Sequence, residues 1–442
     1  MGMKCLIIAA GKGSRLRQQG NSKPLVPVLG LPLIERVIRS ALEAGADDFY
    51  VVTGYQEELI RVFLVGLTGR LGCRITPIFN RDWEKENGLS VLKAREYLQE
   101  PFLLLMADHL FDPAIARELM ALPLSDGEIA LSVDGDTHSS FVDMEDVTRV
   151  KTNGGKILII GKDLTDFNGF DTGIFKCTPA IFSALERSAK KNGDTTLSAA
   201  VQILSTEGKA KAVEINGRFW IDIDDSTAFS RAENAILTNL KAKPNDGPVS
   251  RYINRPLSVM ISRRLVDHRI TPNQISLFSF LCSVLAAGLF ALDGYLALLL
   301  GGIMAQFASI VDGSDGEVAR LTYQSSPYGG WFDAVLDRYA DAFLLFGLMW
   351  HAYADRTDGL ILLFGFLAII GSFMLSYTAD KHDSLMRDRI SHGKGLRLGR
   401  DIRVFLIFLG AVFNQVYLAL IVIAVLMNIE TIHRLIICRD HG

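Results

Sequence analysis

Cysteine is scarce. Cys5, Cys73, Cys177, Cys282 and Cys438 are the whole supply in 442 residues, and none stands at the paired spacing of a thiolate metal site. An odd, dispersed set argues against a disulfide framework and fits a reducing compartment. Charge of one sign is lacking too: 46 Lys and Arg against 49 Asp and Glu leave a formal −3, with no long run of either sign. That balance carries no signature of nucleic-acid binding. There is no internal repeat, no low-complexity segment and no signal peptide, because Lys4–Ala10 is a short strand-like run leading into a glycine loop. Leu6 stands where N-myristoylation needs Ser or Thr. The first domain is therefore expected in the cytosol.

What the chain has in excess is apolar residues, 49% of the total, with a mean hydropathy of +0.25. The excess is unevenly placed: up to about Ala242 the pattern is that of a mixed soluble domain, and beyond Leu277 long apolar runs dominate. The length predicts two domains, each able to bury its own core. We divide the chain into a soluble domain over 3–240, a polar, Pro- and Gly-containing linker over 241–250, and a membrane domain over 251–442.

In the soluble part, apolar strands at Cys5–Ala9, Asp48–Thr53 and Phe102–Met106 alternate with helical spacing such as Leu33, Val37, Ile38 and Leu42. Further strands are predicted at Ile129–Val133, Ile157–Ile160 and Lys211–Glu214, and a closing helix at Ser226–Leu240. Such alternation predicts an α/β domain with a mainly parallel sheet. In that architecture function sits at the carboxyl ends of the strands, where Gly11 and Asp108 fall.

In the membrane part, Arg251–Asp267 has an apolar face and carries Arg251, Arg255, Arg263 and Arg264, which suits a helix lying on an anionic membrane surface. About six spans follow: Ile275–Leu292, Leu296–Val311, Ala334–Trp350, Leu360–Tyr377, Ile402–Phe413 and Val416–Ile432. The connections on one side contain a single basic residue, Arg356; those on the other contain Arg320, Lys381 through Arg403, Arg434 and Arg439. The basic side is expected in the cytoplasm, together with the first domain.

The most specific pattern in the chain is D-x2-D-G-x2-A-R-x8-G-x3-D-x3-D, set by Asp312, Asp315, Gly316, Ala319, Arg320, Gly329, Asp333 and Asp337. On helices, Asp312 and Asp315 share a face, as do Asp333 and Asp337. Four carboxylates converging at a membrane edge need cations, and all-oxygen ligation suits Mg²⁺, with Mn²⁺ or Ca²⁺ possible. Glycine at 316 and 329 lets backbone approach a diphosphate, and Arg320 offers a fork of donors for an anionic oxygen. This spacing resembles the signature of the CDP-alcohol phosphotransferase family, over about Arg251 to His433. The resemblance implies a homodimeric six-helix membrane protein in which Asp312, Asp315, Asp333 and Asp337 bind metal, and Asp337 is also the base. It also implies that Asn273, Asp315, Gly316, Ala319, Arg320 and Gly329 hold the CDP moiety. Many lipid-making relatives have an arginine-rich stretch after the fourth span; here Lys381, Arg389, Arg400 and Arg403 are the candidates for an acceptor phosphate.

The soluble motif is Gly11-Lys12-Gly13-Ser14-Arg15 after a strand, with Lys23-Pro24 downstream. Backbone N–H groups of such a loop cradle a triphosphate, and Arg15 and Lys23 add positive charge. Asp108 ends a strand and Asp224 lies in W-I-D-I-D; two carboxylates so placed can share a Mg²⁺. Together these are similar to the sugar-phosphate nucleotidyltransferase family, over Met3 to Leu240, which implies a Rossmann-like fold. That resemblance places Lys23 as the catalytic residue on phosphate, Asp108 and Asp224 on Mg²⁺, and Ala10, Gly11, Gly13, Arg15, Asn87 and Ser90 around CTP. Asp171-Thr172-Gly173 is similar to the family's sugar-side segment, and a structural role is expected for His109. Ser14 and Arg17 replace the more frequent Thr and Pro, which loosens the nucleotide assignment.

A domain making a CDP-activated polyol would feed one that displaces CMP, and tethering raises the local concentration of the intermediate. The pairing resembles known bifunctional fusions and implies CTP and inositol-1-phosphate as substrates, CDP-inositol as intermediate and a di-inositol phosphodiester, an osmolyte precursor, as product. Two alternatives stay open. One is a phospholipid synthase consuming CDP-diacylglycerol, and the other is a transporter with intramembrane carboxylates.

Overall fold

The run Met3–Ala9 forms strand β1 inside a nine-stranded sheet of the computed structural model, which describes residues 2–16, 19–139, 142–241, 247–268, 270–385 and 399–440. The other strands are β2 (Ala46–Thr53), β3 (Arg74–Phe79), β4 (Phe102–Met106), β5 (Ile129–Asp134), β6 (Arg149–Asn153), β7 (Lys156–Gly161), β8 (Gly169–Cys177) and β9 (Ala210–Glu214). Their order is β3-β2-β1-β4-β8-β5-β9-β7-β6. The first four are parallel, with Leu6 of β1 opposite Tyr50 on one side and Leu104 on the other. Beyond them β8 runs antiparallel to both β4 and β5, so the sheet is parallel over that first half and mixed over the rest. Every strand read from the sequence is present. Leu6, Val52, Leu104, Leu131 and Phe175 sit in one buried cluster, and Phe102 stacks on Phe182 at 5.7 Å.

A second pairing positions the chemistry. The short strand Trp220–Asp222 runs antiparallel to His109–Phe111 and sets Asp222 opposite His109, just past the end of β4. Because β1 and β4 are parallel neighbours, the loops leaving them emerge at one edge of the sheet, which brings Gly11 and Asp108 together.

The chain divides into two compact units, Met1–Ile236 and Leu237–Gly442. In the second, α1 (Arg255–Leu265) precedes α2 (Pro272–Phe290), α3 (Tyr295–Leu321), α4 (Pro327–Asp355), α5 (Gly359–Leu385), α6 (Arg400–Val412) and α7 (Val416–Asp440). Each of the six sequence-derived spans falls on one of α2–α7. Among the described residues, four stretches are long and apolar enough to cross a membrane: Pro272–Phe290, Tyr295–Leu321, Gly359–Asp380 and Val416–Ile437. Asp333, Asp337, Arg338 and Asp341 crowd the first half of α4. The 13 residues of α6 reach about 20 Å, short of an apolar layer of about 30 Å.

Local sequence explains the starts. Thr271 caps α2 in a capping box: its hydroxyl accepts from Gln274 N at 3.4 Å, and Gln274 Oε1 accepts from Thr271 N at 3.0 Å. Pro272 fills the first helical position, where no N–H is needed. Ser326 caps α4 ahead of Pro327 by accepting from Gly329 N at 3.0 Å.

The surface-helix reading of Arg251–Asp267 needs one correction. Arg251, Arg263 and Arg264 are exposed, but Arg255 is buried and donates to Glu317 Oε1 on α3 at 2.7 Å. Ser258 and Ser262 donate to the same carboxylate, each at 2.6 Å. A fully buried carboxylate is tolerable only with such donors, and satisfying it turns this face of α1 inward.

Candidate active sites

In the first unit, the glycine loop and Lys23 are shaped by one close contact. Gly13 has φ +58°, and a Cβ there would lie 2.3 Å from Lys23 Cβ, so a side chain is excluded twice. The Lys23–Leu25 turn packs under the loop, and Lys23 Nζ donates to Asp108 Oδ2 at 2.5 Å and also to Asp224 Oδ1. Burial works against the ammonium charge, but Asp108, Asp222 and Asp224 outweigh it and hold the lysine pKa above its usual range. The structure thus brings together the three residues read as the catalytic centre of this domain.

His109 and Asp222 join them. One ring nitrogen of His109, Nδ1, lies 2.7 Å from the Thr172 carbonyl, and Nε2 lies 3.3 Å from Asp222 Oδ2 and 3.8 Å from Asp108 Oδ1. Burial disfavours the imidazolium, yet the Asp222 charge lifts its pKa to about 10. In return, and against its own burial, Asp222 is held down at about 2 by His109. Asp224 is pushed up by burial and by Asp222, and burial lifts Asp171 to about 6. Ligand atoms of Asp108, His109 and Asp222 lie within 4.8 Å of one another. Asp222 Oδ1 is buried with no hydrogen-bond partner among the described residues. An orphaned carboxylate oxygen where the carboxylates of Asp108 and Asp222 converge fits a divalent cation, Mg²⁺ or Mn²⁺.

These groups open onto a cavity of about 360 Å³ that Gly11, Asn87, Asp171 and Lys162 also line. Two sequence candidates are engaged by other side chains. Ser90 is buried and accepts from Asn80 Nδ2 at 3.0 Å. Arg15 pairs with Asp146 Oδ2 at 2.6 Å, and Lys162 shares that carboxylate. Asp222, Asp146 and Lys162 were missed. Of these, only Asp222 had a readable signal, through the alternation of W-I-D-I-D that puts it and Asp224 on one side of an extended segment.

In the second unit, α3 and α4 carry the signature aspartates, and oxygens of Asp312, Asp333 and Asp337 lie within 4.8 Å of one another. Asp333 Oδ1 is buried without a hydrogen-bond partner among the described residues. An all-carboxylate set with an orphaned oxygen fits a hard divalent cation. Asp315 stands beside Asp333, within side-chain hydrogen-bonding reach of it, while its Oδ2 accepts from Ser276 at 2.5 Å and its Oδ1 from Gly316 N. Ser279, one turn further along α2, donates at 3.0 Å to Asp312 Oδ1. Asn273 lies close by, since a Cβ on Gly329 would stand 3.4 Å from Asn273 Oδ1 and 3.1 Å from Ser326 Oγ. Two of the residues read as CDP ligands therefore meet at the starts of α2 and α4. Ala319 is buried, and Arg320 Nη1 passes 3.3 Å from the position a Gly316 Cβ would take.

The candidates for the acceptor phosphate divide. Arg389 lies outside the described residues, and Lys381 falls in the last turns of α5. Arg403 is buried against Asp341, which sequence reasoning missed, with Nη2 to Oδ2 at 2.6 Å. Arg400 reaches Asp312, Asp337 and Asp341. It also lines a polar cavity of about 160 Å³ with Asn254, Arg255, Ser258 and Ser309. Asp341 continues the i, i+4 series of Asp333 and Asp337, a signal concealed inside a run read as a membrane span.

Residues 5–200 match the MobA-like NTP transferase domain, and residues 269–432 match CDP-alcohol phosphatidyltransferase. Along nearly the whole chain there is similarity to the bifunctional IPC transferase and DIPP synthase of Rubrobacter xylanophilus, at 36% identity over 98% of this chain and 96% of that protein. The protein of the same description in Aquifex aeolicus is 31% identical over 97% of this chain and 96% of its own length. Among solved structures, the inositol-1-phosphate CTP transferase from T. maritima is 26% identical, with a TM-score of 0.47 over 53% of this chain and 94% of that one.

Proposed function

The chain belongs to the bifunctional IPC transferase and DIPP synthase family, and from that premise we propose that it performs two successive transfers. First, CTP and inositol-1-phosphate give CDP-inositol and pyrophosphate. Second, the inositol-phosphate group passes from CDP-inositol to another inositol-1-phosphate, releasing CMP and giving a phosphorylated di-inositol phosphodiester.

In the first transfer a phosphate oxygen of inositol-1-phosphate attacks the α-phosphorus of CTP, and the bond to the β-phosphate oxygen breaks. Lys23, seated between Asp108 and Asp224, meets the α-phosphate, while backbone N–H groups around Gly11 and Gly13 hold the remaining charge. Asp171 faces the same cavity and accepts polyol hydroxyls. Such displacement is chiefly positioning and charge neutralisation, so no protein nucleophile is required.

In the second transfer a hydroxyl of the acceptor attacks the inositol-bearing phosphorus of CDP-inositol, and the P–O–P bridge breaks toward CMP. Asp337 takes the hydroxyl proton. Asn273, Gly316, Arg320 and Gly329 hold the CDP moiety, and Arg400 serves the acceptor phosphate. A divalent cation, Mg²⁺ or Mn²⁺, would be held by Asp108, Asp222 and Asp224 in one site and by the α3 and α4 aspartates in the other, and would supply positive charge to the departing phosphate. The basic connections support placing both sites on the cytoplasmic side of the membrane.

The observation that carries this reading is the convergence of Asp312, Asp333 and Asp337 from two helices. The test offers CTP, Mg²⁺ and a panel of polyol phosphates to the purified chain and identifies products by mass. Asp337→Asn is expected to accumulate CDP-polyol and lose at least 100-fold in phosphodiester, within the range typical of proton transfer, about 10²–10⁴. Lys23→Ala does the reverse, and added CDP-polyol rescues it. Phosphodiester formation undiminished in Asp337→Asn refutes the assignment. CMP release that depends on added CDP-diacylglycerol would favour the phospholipid synthase instead.

A further inference from the structure

Arg400 opens α6 and touches two other helices. Its Nη1 lies 2.7 Å from Asp312 Oδ2 on α3 and 2.8 Å from Asp337 Oδ1 on α4, and its Nε lies 3.3 Å from Asp341 Oδ1. Asp312 and Asp337 are two of the three aspartates whose oxygens converge. A divalent cation on those oxygens and a guanidinium on the same oxygens repel each other at close range, in surroundings that screen charge poorly. One of the two must yield. Arg400 has a place to go, because it also lines the 160 Å³ cavity whose wall includes Arg255, Asn254 and Ser258. It has a pivot as well, since its Nε contact is to Asp341, which lies outside the convergent set and is tied separately to Arg403 and Ser372.

We propose that Arg400 is the exchangeable counter-cation of the phosphotransferase site. It holds Asp312 and Asp337 together until a divalent cation takes their oxygens, and it then turns to the phosphate of the acceptor in the adjoining cavity. The cation therefore binds before the acceptor, and its loading creates the acceptor's site. The proposal rests on reading the α3 and α4 aspartates as cation ligands. Arg403, held on Asp341 through Nη2 at 2.6 Å, takes no part in the exchange.

The test measures Mn²⁺ binding by electron paramagnetic resonance on the full-length chain in detergent. Asp108→Asn and Asp224→Asn in the background silence the acidic centre of the first unit. Removing the competing cation in Arg400→Gln is expected to tighten Mn²⁺ binding about tenfold, at the low end of what outer-shell changes do to metal affinity. Arg400→Lys, which keeps the charge and loses the fork, falls between. Weaker or unchanged binding in Arg400→Gln makes Arg400 a plain structural clamp and overturns the exchange. Mn²⁺ binding that Asp312→Asn fails to diminish defeats the cation-site reading itself, a different result. Should the glutamine variant not elute as a single species, the lysine variant carries the same comparison. A second readout uses otherwise unaltered chains: raising Mg²⁺ lowers the acceptor KM in the unsubstituted protein, whereas in Arg400→Gln that KM is high and flat. An acceptor KM independent of Mg²⁺ in the unsubstituted protein also refutes the exchange.

Discussion

Asp171 is a carboxylate whose burial lifts its pKa to about 6, with one oxygen accepting from Gly173 N at 2.8 Å and its side chain on the wall of the polyol cavity. As pH falls through 6 the group takes a proton and loses acceptor capacity for a substrate hydroxyl. The KM for the polyol phosphate in cytidylyl transfer is therefore expected to climb below about pH 6, where the fold raises this pKa, while Asp171→Asn shows a higher KM without that climb. The substrate's own phosphate gains a proton at about pH 6 as well, so the difference between the two profiles is what counts. Parallel profiles would remove Asp171 from substrate binding. His109, with its pKa lifted to about 10, stays charged throughout this range and contributes no inflection.

At the scale of elements, α1 is fastened to α3 through Glu317, whose carboxylate receives Arg255, Ser258 and Ser262. Hydrogen bonds to a buried charge contribute about 1.5–3 kcal/mol each. Ser258→Ala and Ser262→Ala should each lower resistance to unfolding in detergent by an amount in that range. Cytidylyl transfer by the same chain, measured alongside, should be unchanged. The elements that sequence reading recovered have strong local signals: the capping box at Thr271 and Gln274, the apolar runs of β1 and β4, and the helical period that places Asp333 above Asp337. Those it missed lack them. Strand β3 carries Pro77 and survives because it lies at the sheet edge, where a missing N–H is harmless. Strand β8 is interrupted by Gly173 at φ +72°, which breaks the alternation that marks a strand. The Arg255–Glu317 pair bridges 62 residues of sequence, and no periodicity announces a contact of that span.

For the whole molecule, two transfers on one chain make the first product available to the second reaction at a local concentration set by tethering. Asp337→Asn and Lys23→Ala each disable one transfer. Purified separately and mixed, they are expected to make phosphodiester only after a lag, because CDP-inositol must leave one chain and find another. The unaltered protein at the same total concentration shows a shorter lag, measured by following both species by mass over time. Equal lags would mean that the fusion confers no kinetic advantage.

The match to the phosphatidyltransferase family begins at residue 269, after α1 has ended. A fragment cut at that natural-looking boundary would strip Glu317 of Arg255, Ser258 and Ser262, the three donors its carboxylate receives from α1. The autonomous catalytic piece therefore starts upstream of the conserved-looking motif, and any dissection of this enzyme has to keep the segment from Asn254 onward.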